Sequence, residues 1–222
     1  MTDEKEYTIA DLQAIRQQQK SILRTELDNT GALGELACAN TLLCEKYMVL
    51  SSWLNAELVE EIVHCVSRIM EHEGRLDIVE NICVRAADTL HHHPRLKLKL
   101  LLLQRDAVIE QGGSRAEAAE MGIDELSAEI MLLQNNIMAA DLLQWDNITQ
   151  TKFLKQDPIE WTEEFERVIA KAEEKADARL KDTPRGMGFC FAWWHELADI
   201  LHSEYGIDWK SPQQMNPNVH FD

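Results

Sequence analysis

Acidic and histidine side chains stand three residues apart at several points in this chain, and on a helix that spacing puts both groups on one face. Helical carboxylate-bridged metal sites are built from such pairs. The richest set lies near the carboxyl end, where His195 and Glu196 precede Asp199 and His202. These residues are the catalytic candidates, and Mg²⁺ or another divalent metal is the cofactor they imply.

A second pair, Glu61 with His64, has the same spacing. Together with Asp199 and His202 it completes the set of candidate metal ligands. The chain contains 39 acidic residues and 8 histidines, so such pairs also arise by chance on exposed helix faces. Two interpretations therefore stay open: a metal site, or solvated pairs in a protein without a cofactor.

Paired carboxylates three residues apart can also hold Mg²⁺ against a pyrophosphate when two pairs face each other. The segment Glu196-Leu-Ala-Asp-Ile-Leu, with Gly-Ile-Asp208 downstream, resembles the second metal motif of the all-helical nucleoside triphosphate pyrophosphohydrolases. The resemblance covers residues 196–208, and the gap between Asp199 and Gly206 is shorter than in that family. Glu160 with Glu163, two glutamates three residues apart, takes the place of the first metal motif of that family. The resemblance implies a metal-dependent hydrolase of a phosphorylated small molecule.

Basic side chains are concentrated between positions 85 and 105, where Arg95, Lys97 and Lys99 follow three consecutive histidines. Pro94 suits the first turn of a helix, and a helix N-terminus favours anions. The segment therefore predicts a site for a phosphate-bearing or acidic ligand. The alternative is a basic helix face that pairs with acidic neighbours.

Aromatic residues are concentrated in the last part of the chain, from 187 to 222. Trp193 and Trp194 point about 100° apart on a helix, so one can face the core and the other a partner. Trp209 and Phe221 follow in a tail rich in proline and asparagine. These aromatic side chains are the candidates for binding a protein partner or a second copy of the chain, or else for packing within one subunit.

The segment from Ser114 to Ile123 has the Ala-x-x-x-Gly spacing of a helix-turn-helix. The helix that follows offers Asp124, Glu125 and Glu129, whereas a recognition helix needs groups that reach bases and phosphates. Ser114 is instead predicted to cap a short helix that turns into the next one. Direct DNA binding is not expected.

The elements that position these groups are predicted to be helices, because apolar residues recur at three- and four-residue steps. Asn55 is predicted to cap the third helix, whose predicted inner face is Leu58, Ile62, Cys65, Val66 and Ile69. Residues 96–103 are predicted to be helical although they begin by alternating. A long helix is predicted from Asp124 to about Gln156, and a last one from Met187 to Tyr205. The fold class is all-α, a bundle or short array of seven to eight helices with an ordered, extended C-terminal tail.

The predicted organisation is one helical domain over residues 1–222, ending in the aromatic helix and tail at 187–222. A subdivision at the Gly112-Gly113 linker, residues 111–114, is the alternative. The five cysteines form no Cys-x-x-Cys pair and are expected to be small buried residues in a reducing compartment. The polar N-terminus and short apolar runs favour a cytoplasmic protein without a membrane span.

The formal net charge is −17, which repels phosphate backbones and argues against general nucleic-acid binding. We expect a non-catalytic interaction or regulatory protein that binds a protein partner, or forms a homo-oligomer, through a helical or aromatic C-terminal surface. The alternative is the metal-dependent hydrolase. A third possible function is that of an acidic nucleic-acid mimic, which would use the same negative charge to compete with DNA for a basic protein.

Overall fold

The computed structural model describes residues 6–49, 51–72, 76–112, 122–150 and 153–221. These residues form helices and contain no β-strand, which confirms the all-α prediction. The α-helices are α1 Ile9–Leu23, α2 Thr30–Tyr47, α3 Asn55–Glu71, α4 Leu76–Asp88, α5 Pro94–Gly112, α6 Ile123–Asp141, α7 Glu163–Arg179, α8 Phe189–Tyr205 and α9 Pro212–Met215. Short 3₁₀ helices cover Ser52–Leu54, Trp145–Asn147 and Pro158–Trp161. Within the described ranges, none of the helices has the length and apolarity that crossing a bilayer requires.

The chain divides into two compact units. The first contains Met1–His91 and Leu96–Met131, and the second contains His92–Arg95 and Leu132–Asp222. In the linker predicted at 111–114, Gln111 and Gly112 are the last residues of α5. Residues 113–121 lie outside the described residues, and with them the rest of that linker, the cap predicted at Ser114 and most of the helix-turn-helix-like segment.

In the first unit, α2 packs against α1, α3 and α4. Helix α1 begins at a capping box, because Thr8 accepts a hydrogen bond from the backbone N–H of Asp11 and the Asp11 carboxylate accepts one in return. The inner face predicted for α3 is buried: Leu58, Ile62, Cys65, Val66 and Ile69. The 3.6-residue apolar period therefore predicts this helix and its orientation correctly.

Asn55 has a different role from the predicted cap. It is the first residue of α3, and Leu54 occupies the cap position. The buried Asn55 amide Nδ2 donates hydrogen bonds to the carbonyl oxygens of Cys44, at 3.0 Å, and Thr89, at 3.3 Å. Because Cys44 lies in the last turns of α2 and Thr89 directly follows α4, one side chain satisfies carbonyls at two helix ends.

In the second unit, α7 packs against α8. Their buried contact includes Phe165 and Ile169 from α7 and Leu197, Ile200 and Leu201 from α8. The first residues of the tail join the same core, since Ile207 and Trp209 are buried in it. Gly206 caps the C-terminus of α8 with a φ of 70°, in the left-handed region that is common just after a helix. The tail is not extended throughout, because α9 interrupts it.

The helix predicted from Asp124 to Gln156 is wrong in its second half, because α6 ends at Asp141. The N–H of Leu143 donates to the carbonyl of Ala140, and the N–H of Gln144 donates to that of Ala139 at 2.8 Å. This pair of bonds is a Schellman motif, which usually has glycine at the position that Leu143 fills. Leu143 has a φ of 56°, so a leucine ends the helix where the sequence shows neither glycine nor proline.

Candidate functional site

The catalytic candidates lie on α8, and their carboxylates are paired with an arginine. Arg179 of α7 donates from Nη1 to Oε2 of Glu196 and to Oδ2 of Asp199, at 3.1 Å each. His202 Nδ1 lies 2.6 Å from Oδ1 of Asp208, and both side chains are largely exposed. His195 is exposed as well. A guanidinium therefore occupies the position between the carboxylates where the hydrolase hypothesis places a cation.

Glu61, the other acidic metal candidate, is held by three donors. Its carboxylate lies 3.0 Å from Nη2 of Arg16, 2.5 Å from Nζ of Lys20 and 2.7 Å from Nδ2 of Asn40. Burial raises the pKa of Glu61, but the hydrogen bonds from Lys20, Asn40 and Arg16 outweigh burial and lower that pKa below its ordinary value. His64 is exposed on the same helix. In the described part of the chain, no three side chains of the metal-binding types are grouped to hold an ion.

The basic segment is largely paired with acids, as its second interpretation expects. Arg95 donates from Nη2 to Oδ1 of Asp141 at 2.5 Å and from Nη1 to Oδ2 at 3.2 Å. Lys97 lies 2.7 Å from Glu129, while Lys99 is exposed. Anion binding by Arg95 or Lys97 would require each cation to leave its carboxylate.

The aromatic candidates divide between core and surface. The Trp209 ring is buried, so it packs within its own chain and presents little area to a partner. Trp194 is partly exposed and makes an edge-to-face contact with Phe221, with ring centroids 5.1 Å apart. Trp193 is also partly buried, and its indole Nε1 donates to Oδ1 of Asp177 at 3.0 Å. Trp193, Trp194 and Phe221 are therefore the aromatic candidates with area left for a partner.

A buried polar cluster in the second unit joins residues whose grouping the sequence does not predict. The imidazole of His92 lies between two carboxylates, with Nδ1 3.2 Å from Glu160 Oε2 and Nε2 3.8 Å from Glu173 Oε1. Trp209 donates from Nε1 to Oε1 of Glu160 at 2.9 Å. Burial raises the pKa of Glu173 to about 7. The cluster ties the tail to the core through the hydrogen bond from Trp209 to Glu160.

One pattern in the sequence does indicate part of this cluster. Glu173 stands four residues after Ile169 and eight after Phe165, so it lies on the apolar face of α7. The pairing with His92 has no comparable signal, because the partners lie far apart in the chain. His93 follows His92 in the chain. Burial and the neighbouring His92 lower the pKa of His93 to about 4, so His93 is neutral near pH 7.

A groove of about 800 Å³ lies in the first unit. One face of α2 forms its floor with Gly31, Gly34, Cys38 and Ala39, all of them small. A Cβ atom added to Gly34 would meet no atom within 4 Å. The small residues on this face of α2 therefore leave part of the groove's volume unfilled. The other lining residues that the structure describes are Tyr7, Leu12, Ile15, Thr30, Glu35, Leu42, Ile69, His72 and Ile78.

Glu35 is the acid among the polar lining residues, which also include Tyr7, Thr30 and His72. Glu35 is exposed, and its carboxylate accepts a hydrogen bond from Nε2 of the buried Gln19. No lysine or arginine is among the described lining residues. Cys38 is exposed there, which corrects the expectation of a buried cysteine, although burial of its sulfur against the walls raises the pKa of the thiol. The arrangement suits an apolar ligand that carries a positive charge.

A second apolar surface lies just beyond α6 in the second unit. Met138, Leu142, Leu143 and Trp145 are all exposed. The left-handed backbone of Leu143 holds a large apolar side chain in solvent at a conformational cost of about 1–2 kcal/mol. Strained residues of this kind are concentrated at functional sites.

Comparison of the chain with protein-family models, with curated proteins and with solved structures finds no match.

Proposed function

We propose that this protein is a non-catalytic interaction module that binds a protein partner through the groove of its first unit. The groove itself carries the proposal, because it is open, mainly apolar and about 800 Å³ in volume. Sites that bind ligands are mostly apolar concavities of about 300–1,000 Å³ with a few placed polar groups. Helices of partner proteins bind in apolar grooves of this kind.

The length of the groove floor favours an elongated partner, such as a helix, over a compact small molecule. Its lining residues on α2 run from Thr30 to Leu42, which is about 18 Å along a helix axis. They recur at three- and four-residue steps, so they form one continuous stripe. A partner that follows this stripe contacts about three turns of α2.

The rival hydrolase has less support. Its best carboxylates, Glu196 and Asp199, share the guanidinium of Arg179. A metal-dependent reaction at this place would first have to displace that arginine, which the proposed binding function does not require. The partly exposed Trp194 and Phe221 of the second unit are a separate candidate surface for a protein partner.

The experiment compares protein capture by the wild type with capture by Gly34→Leu, which fills the groove. The added Cβ has free space, and leucine favours a helix over glycine, so the variant is expected to fold. Phe153→Ser, a change at an exposed apolar residue of the second unit, is the matched control. A protein captured from extracts by the wild type and the control, and lost with Gly34→Leu, supports the proposal; capture that Gly34→Leu retains contradicts it.

Catalysis is tested separately on the wild-type protein. It is purified without chelator, analysed for bound metal, and screened for nucleotide hydrolysis with Mg²⁺ or Mn²⁺. Turnover that disappears in Asp199→Asn would overturn the non-catalytic assignment and favour the hydrolase.

A further inference from the structure

We infer that the occupant of the groove is a cationic amphipathic helix of about three turns, an inference that rests on the proposed function. The groove offers such a helix a floor without large side chains, apolar walls and one carboxylate. Each of these features selects a property of the partner.

The floor selects the shape of the partner. Gly31 and Gly34 bring the α2 backbone to the base of the groove, with Cys38 and Ala39 one turn further on. A Cβ atom added to Gly34 would meet no atom within 4 Å, so a partner side chain can approach the α2 backbone there. Because the floor residues repeat at helical spacing, partner residues at i, i+3, i+4 and i+7 match the floor along its length.

The walls require those partner residues to be apolar. Leu12 and Ile15 of α1 lie on the lining, as do Ile69 of α3 and Ile78 of α4. Burial of aliphatic area between such walls contributes about 25 cal/mol per Å². Polar residues at the inward positions of the partner would lose hydration without gaining hydrogen bonds.

The charge of the groove selects cations on the flanks of the partner. Glu35 is the acid on the described lining, and its hydrogen bond from Gln19 holds the carboxylate in place. The net charge of −17 adds a long-range attraction for a positive partner and repels a negative one. Lysine or arginine beside the apolar stripe can therefore pair with Glu35, whereas an acidic helix meets repulsion.

The test uses two synthetic peptides of about 12 residues with leucines at the i, i+3, i+4 and i+7 positions. In one peptide the positions that flank the leucines carry lysines, and in the other peptide the same positions carry glutamates. Binding is measured by fluorescence anisotropy, and peptide helicity by circular dichroism, because so short a helix is marginal in isolation. The alkylation rate of Cys38 is measured in a Cys190→Ser background, since the other cysteines are buried.

We expect the leucine–lysine peptide to bind, to gain helicity and to slow alkylation of Cys38. Gly34→Leu should weaken its binding at least about tenfold, a change of about 1.4 kcal/mol. Glu35→Gln should weaken it by about threefold, in the range of one surface ion pair. Glu174→Gln, which removes an exposed acid from the second unit, should leave binding unchanged.

Several results would overturn the inference about the occupant. The proposed function is tested separately, by the capture experiment. Equal binding of both peptides rejects the cationic class, and binding that survives Gly34→Leu places the peptide outside the groove. Absence of binding by either peptide rejects a helix of this kind. Self-association that Gly34→Leu abolishes identifies a second copy as the occupant, and protection of Cys38 by a long-chain fatty acid alone identifies a small apolar ligand.

Discussion

At the scale of single residues, Glu173 is a buried ionisable side chain in the second unit. It lies on the apolar face of α7 with the imidazole of His92 nearby. Burial raises its pKa from the ordinary value of 4.5 to about 7. Its ionisation is therefore coupled to folding.

Glu173→Gln is expected to change how stability depends on pH. Between pH 4.5 and about 7 the folded state binds the Glu173 proton more tightly than the unfolded state. Stability of the wild type therefore falls across this range, by about 1.4 kcal/mol for each unit of pKa difference. The glutamine variant lacks this loss, so relative to wild type it should gain stability from pH 5 to pH 8.

Urea unfolding of both proteins at several pH values measures this difference. His93, whose folded pKa is lowered to about 4, gives a slope of opposite sign in both proteins, so the comparison with wild type isolates Glu173. The neighbouring exposed acid supplies the control, Glu174→Gln. An identical pH profile for wild type and Glu173→Gln would show that the carboxyl is not coupled to folding.

Trp209→Phe tests the hydrogen bond between the tail and the core. The phenyl ring keeps much of the buried apolar area but cannot donate to Glu160, whose carboxylate is buried. The free energy of unfolding should fall by about 1–3 kcal/mol, the cost of removing one donor from a buried acceptor. Trp145→Phe, at an exposed tryptophan, should change it by less than about 0.5 kcal/mol. Equal effects of the two changes would contradict the role given to this bond.

At the scale of elements, α6 is terminated by Leu143, a residue type that is poorly suited to a left-handed backbone conformation. Leu143 occupies the left-handed position of the Schellman motif with a φ of 56°. Leu143→Gly is expected to stabilise the protein by about 1 kcal/mol, because glycine adopts this conformation without the Cβ clash. Thermal unfolding measures the change, and Leu142→Gly, at the preceding exposed leucine, should give no gain. A loss of stability in Leu143→Gly would mean that its side chain makes a stabilising contact.

Elements with strong local patterns are those that the sequence predicts correctly. Pro94 begins α5, and residues 96–103 are helical despite their initial alternation. The last long helix begins at Phe189, close to the predicted Met187, and ends at Tyr205 as predicted. Helix α6 ends early because its cap uses a leucine, which in sequence looks like a continuation of the helix.

At the scale of the whole molecule, the C-terminal tail belongs to the core of the second unit. Ile207 and Trp209 pack with residues of α7 and α8. Deletion of residues 206–222 should lower the free energy of unfolding by at least about 3 kcal/mol, the usual cost of removing one large buried side chain. Hydrogen exchange should show reduced protection in α7 and α8. A chain truncated after Asn216 keeps both anchors and serves as the control, and unchanged stability after the longer deletion would reject this role.

The sequence by itself determined the helical class, the apolar faces of helices such as α3, and the negative charge. These properties follow from local spacing and composition, which each segment carries whatever its neighbours are. The same spacing could not decide whether Glu196 and Asp199 meet a metal or an arginine, because Arg179 reaches them from another helix. Nor could it bring His92 beside Glu160 and Glu173, which lie far along the chain.

Only the tertiary structure decided which small residues of α2 are covered and which are open. Ala37 is fully buried, whereas Gly34 faces free space in the groove. In sequence both are small residues of one helix, and the difference arises from where α1, α3 and α4 pack against it. A groove is the volume left between elements, so it depends on their packing geometry and has no signature in the order of residues along one helix.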